Sequence, residues 1–188
     1  MTNYDSDVAL VDTGKYTNAL AEIIQRYLEQ GFGSYISTFI FRCLPDNEKT
    51  SKQIMRGEVE RVFLRFLTEV HRYPRSLAHY DNNLLFIGCP DWPYPRRSGR
   101  RSCKKMSPKN GLHFAGVLLI PPFNRLKRGV KEHFEVEQRI YIRPGFPLQR
   151  IHIEHIRTTP KRAVDYTFKA LKKGRVGPDD LLILPAVG

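Results

Sequence analysis

Two short stretches, far apart in the chain, hold the residue types on which chemistry could rest. Gly111-Leu112-His113-Phe114-Ala115-Gly116-Val117-Leu118-Leu119-Ile120-Pro121-Pro122 sets one imidazole in an apolar run, and Tyr166-Thr167-Phe168-Lys169 sets a phenol and an ammonium three positions apart. On a helix that spacing is about one turn, so the Tyr166 and Lys169 heads point together. Histidine is a metal ligand and tyrosine a nucleophile that needs a nearby cation, because a phenol is mostly protonated at neutral pH. Together these are the parts for metal-assisted nicking of a phosphodiester.

Local patterning predicts the elements that carry these residues. Leu112–Ile120 reads as a buried strand closed by Pro121 and Pro122. Downstream, Thr159 is the N-cap of a helix, Pro160 its first residue and Gly174 its end. On that helix Val164, Phe168 and Leu171 face inward, and Tyr166, Lys169 and Lys173 share another side. Between them Arg150–Ile156 alternates as a strand, with Ile151 and Ile153 on one face and His152 and Glu154 on the other.

Upstream, Leu20, Ile23, Ile24, Tyr27 and Leu28 mark a helix from Ala19 that ends at Gly31 and Gly33, and Ser34–Arg42 is a strand stopped by Pro45. From Thr50 to Tyr73, Val59, Val62, Phe63, Phe66, Leu67 and Val70 lay an apolar stripe on a helix whose other face carries Glu58, Arg61, Arg65 and Arg72. Asn83–Gly88 is a short strand, and a loop is expected from Cys89 because Pro90, Pro93 and Pro95 lack ladder donors. Leu126, Val130 and Phe134 mark a further helix, Pro144-Gly145 a turn, and Leu181–Leu184 after Asp179-Asp180 a small closing strand or a partner-contact tail.

Composition bounds the partners. The 188 residues are 41% hydrophobic and 11% aromatic, enough for one domain with a real core. Residues 1–15 lack periodicity and read as a flexible tail; 16–188 read as a single domain with a basic loop at 92–110. Lys and Arg number 31 against 19 Asp and Glu, and the net charge of +12 points to a polyanion. The loop carries Arg96, Arg97, Arg100, Arg101, Lys104, Lys105 and Lys109 with no acid among them, beside Trp92 and Tyr94, whose rings could stack on unpaired bases. Lys173 adds a charge on the last helix.

Cys43, Cys89 and Cys103 form neither an even disulfide framework nor a metal-type pair, which suits a reducing, cytoplasmic compartment. Asp5, Asp7 and Asp12 with no uninterrupted apolar segment lead us to expect no signal peptide, and no run approaches the roughly 20 apolar residues that span a bilayer, so no membrane partner is expected.

Leaving out the leading helix, the order is βαββαβ followed by a helix. This predicts an α+β, ferredoxin-like domain: a central antiparallel sheet with two helices on one face and the last helix bringing Tyr166 over the other. The succession of Thr38-Phe39-Ile40-Phe41, Leu112 to Pro121 and Tyr166-x-x-Lys169 resembles the three motifs of the HUH endonucleases, the rolling-circle replication initiators and their transposase relatives. The resemblance spans roughly residues 34–173.

It implies a site-specific single-strand DNA nickase and ligase of a plasmid or phage. Tyr166 would be the nucleophile, Lys169 its cationic partner, and Mg²⁺ or Mn²⁺ the cofactor. In that family the central strand carries two histidines flanking one hydrophobic residue; here His113 and Phe114 match, and the second position is Ala115, which cannot ligate. Some viral members place a glutamine there. The missing ligand falls to His152 or Glu154, or to Asp91 at the end of the preceding strand. The partners implied are single-stranded or origin DNA and, because the chain has no helicase-type phosphate loop, a host helicase. Two rivals stand beside this reading: a non-cleaving DNA binder that regulates replication of a mobile element, favoured by Ala115, and an RNA-binding module on a similar sheet.

Overall fold

The computed structural model describes residues 13–42, 44–72, 83–91 and 112–185. Helix α1 (Thr13–Glu29) leads into strand β1 (Gly33–Phe41), helix α2 (Glu48–Val70) and strands β2 (Leu85–Asp91) and β3 (His113–Ile120). Short helices α3 (Val130–Val136) and α4 (Gln138–Tyr141) precede strand β4 (Leu148–His155). Helices α5 (Pro160–Thr167) and α6 (Lys169–Lys172), a 3₁₀ turn at Pro178–Asp180 and strand β5 (Leu182–Leu184) follow. The strands form one antiparallel sheet in the order β4-β1-β3-β2-β5, packed by helices, which makes the chain an α+β protein.

The period-two alternation of side chains divides the core in two. Phe114, Leu118 and Ile120 of β3, with Phe39, Phe41, Phe86, Ile151 and Ile153, pack against the stripe of α2 and against Phe134 and Tyr141. Val117 and Leu119, with Ile87 and Cys89, pack against Leu20 and Ile24 of α1 and against Val164, Phe168 and Leu171. The inward residues expected on the last helix are the ones that fill this second core. No helix among the described residues is long and apolar enough to cross a membrane.

Caps set the helix ends. Asn47 accepts from the Thr50 N–H at the start of α2, and the Thr159 side chain accepts from the Arg162 N–H with Pro160 following it. Gly174, at φ +62°, ends the last helical segment, with the Arg175 N–H returning to the Ala170 carbonyl.

Four expectations change. First, α1 begins at Thr13, within the expected tail; residues 1–12 lie outside the described residues. Second, β2 runs on through Pro90 to Asp91, because β5 pairs only with Phe86, Ile87 and Gly88, so Pro90 has one neighbouring strand and no second ladder to supply. Third, Leu126 is not helical: Asn124 donates to the Pro121 carbonyl and accepts from the Leu126 N–H, building a turn that delays α3 to Val130. Fourth, Glu58 is buried rather than on the solvated face of α2. It pairs with Arg61 at 2.8 Å, and the same guanidinium nitrogen donates to the Tyr141 carbonyl at 2.6 Å, tying α2 to α4.

His133 and Tyr141 share a buried hydrogen bond of 2.7 Å between the imidazole Nε2 and the phenol oxygen. Burial pushes the His133 pKa below its ordinary value and that of Tyr141 above its own, so both stay neutral in the fold. A histidine with a depressed folded pKa destabilises at acid pH: below about 6.5 the unfolded chain gains a proton that the folded chain refuses. His71, also lowered by burial, acts in the same direction. Urea midpoints should therefore fall as pH drops from 7.5 to 5, and less so in His133→Gln; equal pH slopes in the two proteins would remove His133 as the cause.

Candidate active site on the open half of the sheet

Register places the chemistry. His113 is opposite Asp91 of β2 on one side and Ile40 of β1 on the other, and Ile40 is in turn opposite Arg150 of β4. One step along β3, Ala115 lies between Thr38 and Cys89, with His152 beyond Thr38. A further step brings Val117 between Ile36 and Ile87, with Glu154 beyond Ile36. Directly opposed residues in a ladder project to the same face, so all of these share the face that α1, α5 and α6 pack against.

The helices cover only part of that face. α6 lies over β2 and α5 over β3, burying Val117, Leu119, Ile87 and Cys89. At the His113 end Thr38, Ile40, His113, Ala115 and Asp91 are half-buried, while Arg150, His152 and Glu154 are exposed. This open half-sheet is the candidate site.

Helices α5 and α6 bring the other parts to its rim. The Lys169 ammonium pairs with the Asp91 carboxylate at 2.8 Å and stands 5.7 Å from the centre of the Tyr166 ring, which is 64% exposed. His113, Asp91, Lys169 and Tyr166 therefore form one continuous line of neighbours. The helix is not continuous through them: Phe168, fully buried, takes φ −99° and ψ 27° between α5 and α6. Lys173, expected to share the side of Tyr166, follows α6 as an exposed residue.

The expected metal ligands divide into two pairs. His113 and Asp91 are side by side, whereas His152 and Glu154 lie on β4, two strands away, roughly 10 Å across the sheet. Glu154 accepts from Lys131 at 2.8 Å, which with the neighbouring charges lowers its pKa, and stands 3.4 Å from His152. No three His, Cys, Asp or Glu side chains among the described residues converge as a metal site.

Cys89, one strand from Ala115, is no rival nucleophile: burial, with Asp91 and Asp180 nearby, raises its thiol to about 12. Trp92, Tyr94, Arg96, Arg97, Arg100, Arg101, Lys104, Lys105 and Lys109 lie outside the described residues.

Sequence reasoning missed Arg150, which the ladder sets in the row of His113. Its signal was present, since Arg150 has the same parity as His152 and Glu154.

Fold and site define an α+β protein whose antiparallel sheet is covered on one face, half-covered on the other, and carries a tyrosine, lysine, aspartate and histidine at the open end. Compared with protein-family models, with curated proteins and with solved structures, the chain finds no match.

Proposed function

We propose that the chain binds single-stranded DNA on the open half-sheet and nicks it through Tyr166, as an HUH-type replication initiator of a mobile element, on a ferredoxin-like core. The antiparallel order β4-β1-β3-β2, with α2 and α3–α4 as its two crossovers in one layer, supports that core, to which α1, α5, α6 and β5 are additions. One observation carries the functional reading: the Lys169–Asp91 pair fastens the tyrosine-bearing segment beside His113.

In this reaction the Tyr166 oxygen forms a bond to phosphorus and the bond from phosphorus to the 3′ oxygen breaks. The phenol proton passes to solvent and the departing 3′ oxygen gains one. The product is a 5′-phosphotyrosine and a free 3′ hydroxyl that a polymerase can extend. Lys169 holds its positive charge next to the ring and stabilises the developing negative charge. Asp91 holds Lys169 until the phosphate arrives, and any other use of the Asp91 carboxylate leaves the ammonium to the phosphate.

Mg²⁺ or Mn²⁺ at this end of the sheet would be held by Asp91 and His113, with water and phosphate oxygens completing the set; the His113 Nε2 is buried, and Asp91 would have to release Lys169 to take part. Such an ion would supply Lewis-acid polarisation of a non-bridging oxygen.

A second reading rests on Ala115: a descendant that keeps the basic sheet and binds DNA without cutting it, as a replication regulator. The test incubates the full chain with single-stranded origin-like oligonucleotides and Mn²⁺ and looks for a covalent adduct that survives denaturation, mapped by peptide mass spectrometry. An adduct on Tyr166 supports cleavage. Salt-sensitive binding with no adduct leaves the regulator reading.

A further inference from the structure

The geometry points to a phosphate track across the sheet, perpendicular to the strands, that starts at Lys169 and ends at Arg150 on the β4 edge, with Arg42 beside that end. The row is Asp91, His113, Ile40 and Arg150, one residue from each of four neighbouring strands. At about 4.8 Å per strand it spans roughly 14 Å, long enough for consecutive phosphates of an extended strand. Arg150 is exposed on the half of the face that the helices leave open. Arg42 is exposed just past β1, and its backbone N–H is bonded to the Pro147 carbonyl, which keeps it at the same end of the sheet as Arg150.

Charge complementarity selects the occupant. The acids on this face are engaged: Asp91 by Lys169 at 2.8 Å and Glu154 by Lys131 at 2.8 Å. Arg42 and Arg150 have no ion-pair partner among the described residues. The track thus presents guanidinium groups at one end, an ammonium at the other, and a floor of half-buried Ile40 and His113 on which sugars or bases can lie. A single strand matches it, because its phosphates can follow a shallow sheet face that the helices wall on one side. The assignment rests on the proposed DNA-binding face but not on cleavage.

The test measures binding of a fluorescent oligo-dT by Tyr166→Phe protein across a salt series, so that no nicking intervenes. Arg150→Glu and Arg42→Glu should each weaken binding roughly tenfold at moderate salt and lower the salt slope by about 0.7 for each phosphate no longer neutralised. Arg139→Glu, an exposed control on α4 in the opposite layer with the same change in net charge, should weaken it far less. Equal losses in all three proteins would reveal a bulk charge effect and overturn the track, as would unchanged binding in Arg150→Glu. Circular dichroism of each variant confirms that the exposed substitutions leave the fold intact. Failure of the adduct assay with a clear Arg150→Glu loss removes cleavage and leaves the track.

Discussion

Tyr166→Phe will bind single-stranded DNA and form no covalent adduct, while Lys169→Met will form it on the order of 10²-fold more slowly, with a much smaller loss of affinity. Both substituted side chains are themselves at least partly exposed. The Tyr166 ring is 64% exposed, so loss of its hydroxyl sacrifices no packing. The Lys169–Asp91 pair has side-chain exposures of 44% and 16%, so Lys169→Met leaves a largely buried carboxylate without its cation, and its melting temperature is measured beside its rate.

A rate loss in Lys169→Met with an unchanged melting temperature is chemical. If Asp91 acts only through Lys169, adding Asp91→Asn to Lys169→Met will cost little further, since the shared interaction is already gone, whereas a large further loss in Mn²⁺ assigns the carboxylate to the metal. Asp91→Asn alone should tighten DNA binding by removing a carboxylate from the phosphate path. Full adduct yield in Tyr166→Phe would assign the nucleophile elsewhere and end the proposal.

The second large effect concerns the sheet that positions this site. Gly116→Ala should destabilise the protein by about 3 kcal/mol, the upper end of ordinary overpacking, and lower its melting temperature by roughly 10 °C. Gly116 and Gly88 face each other across β3 and β2, and the Phe86 ring lies over both. A methyl carbon at Gly116 would stand 2.4 Å from two Phe86 ring atoms and 2.8 Å from the Ile87 carbonyl; at Gly88 it would stand 2.6 Å from the same ring and 2.7 Å from the Ala115 carbonyl.

The ring is hemmed in by Phe39 and Phe114, its edge and tilted neighbours, and the carbonyls belong to the ladder. Phe86→Leu should recover part of the loss in the double variant, because the clash is shared. A melting temperature in Gly116→Ala equal to that of the parent would show that the sheet adjusts freely and that the glycine pair is not needed for the register that brings Asp91 to His113.

Elements were legible in the chain wherever a periodicity or a cap wrote them locally. The stripe of α2, the Thr159-Pro160 start, the Gly174 end and the alternation of Ile151 and Ile153 all recur in the fold. Pro90 and Leu126 misled for the same reason: each was judged by its own residue type, while a missing second neighbour strand and the Asn124 turn decided the outcome. Glu58 misled because a carboxylate counts as solvent-facing until Arg61 and the Tyr141 carbonyl offer it a buried network.

The residue types at the candidate site came from the sequence by itself: an imidazole in an apolar strand, a phenol and an ammonium one turn apart, and a large positive charge. Only the tertiary structure decided which of them meet. It set Asp91 opposite His113, gave that carboxylate to Lys169, left His152 and Glu154 two strands away and brought Arg150 into the row. The physical reason is that helix and strand periods are properties of neighbours in the chain, whereas register is a property of pairing between distant segments, and a slip of one residue would turn every side chain of a strand to the other face.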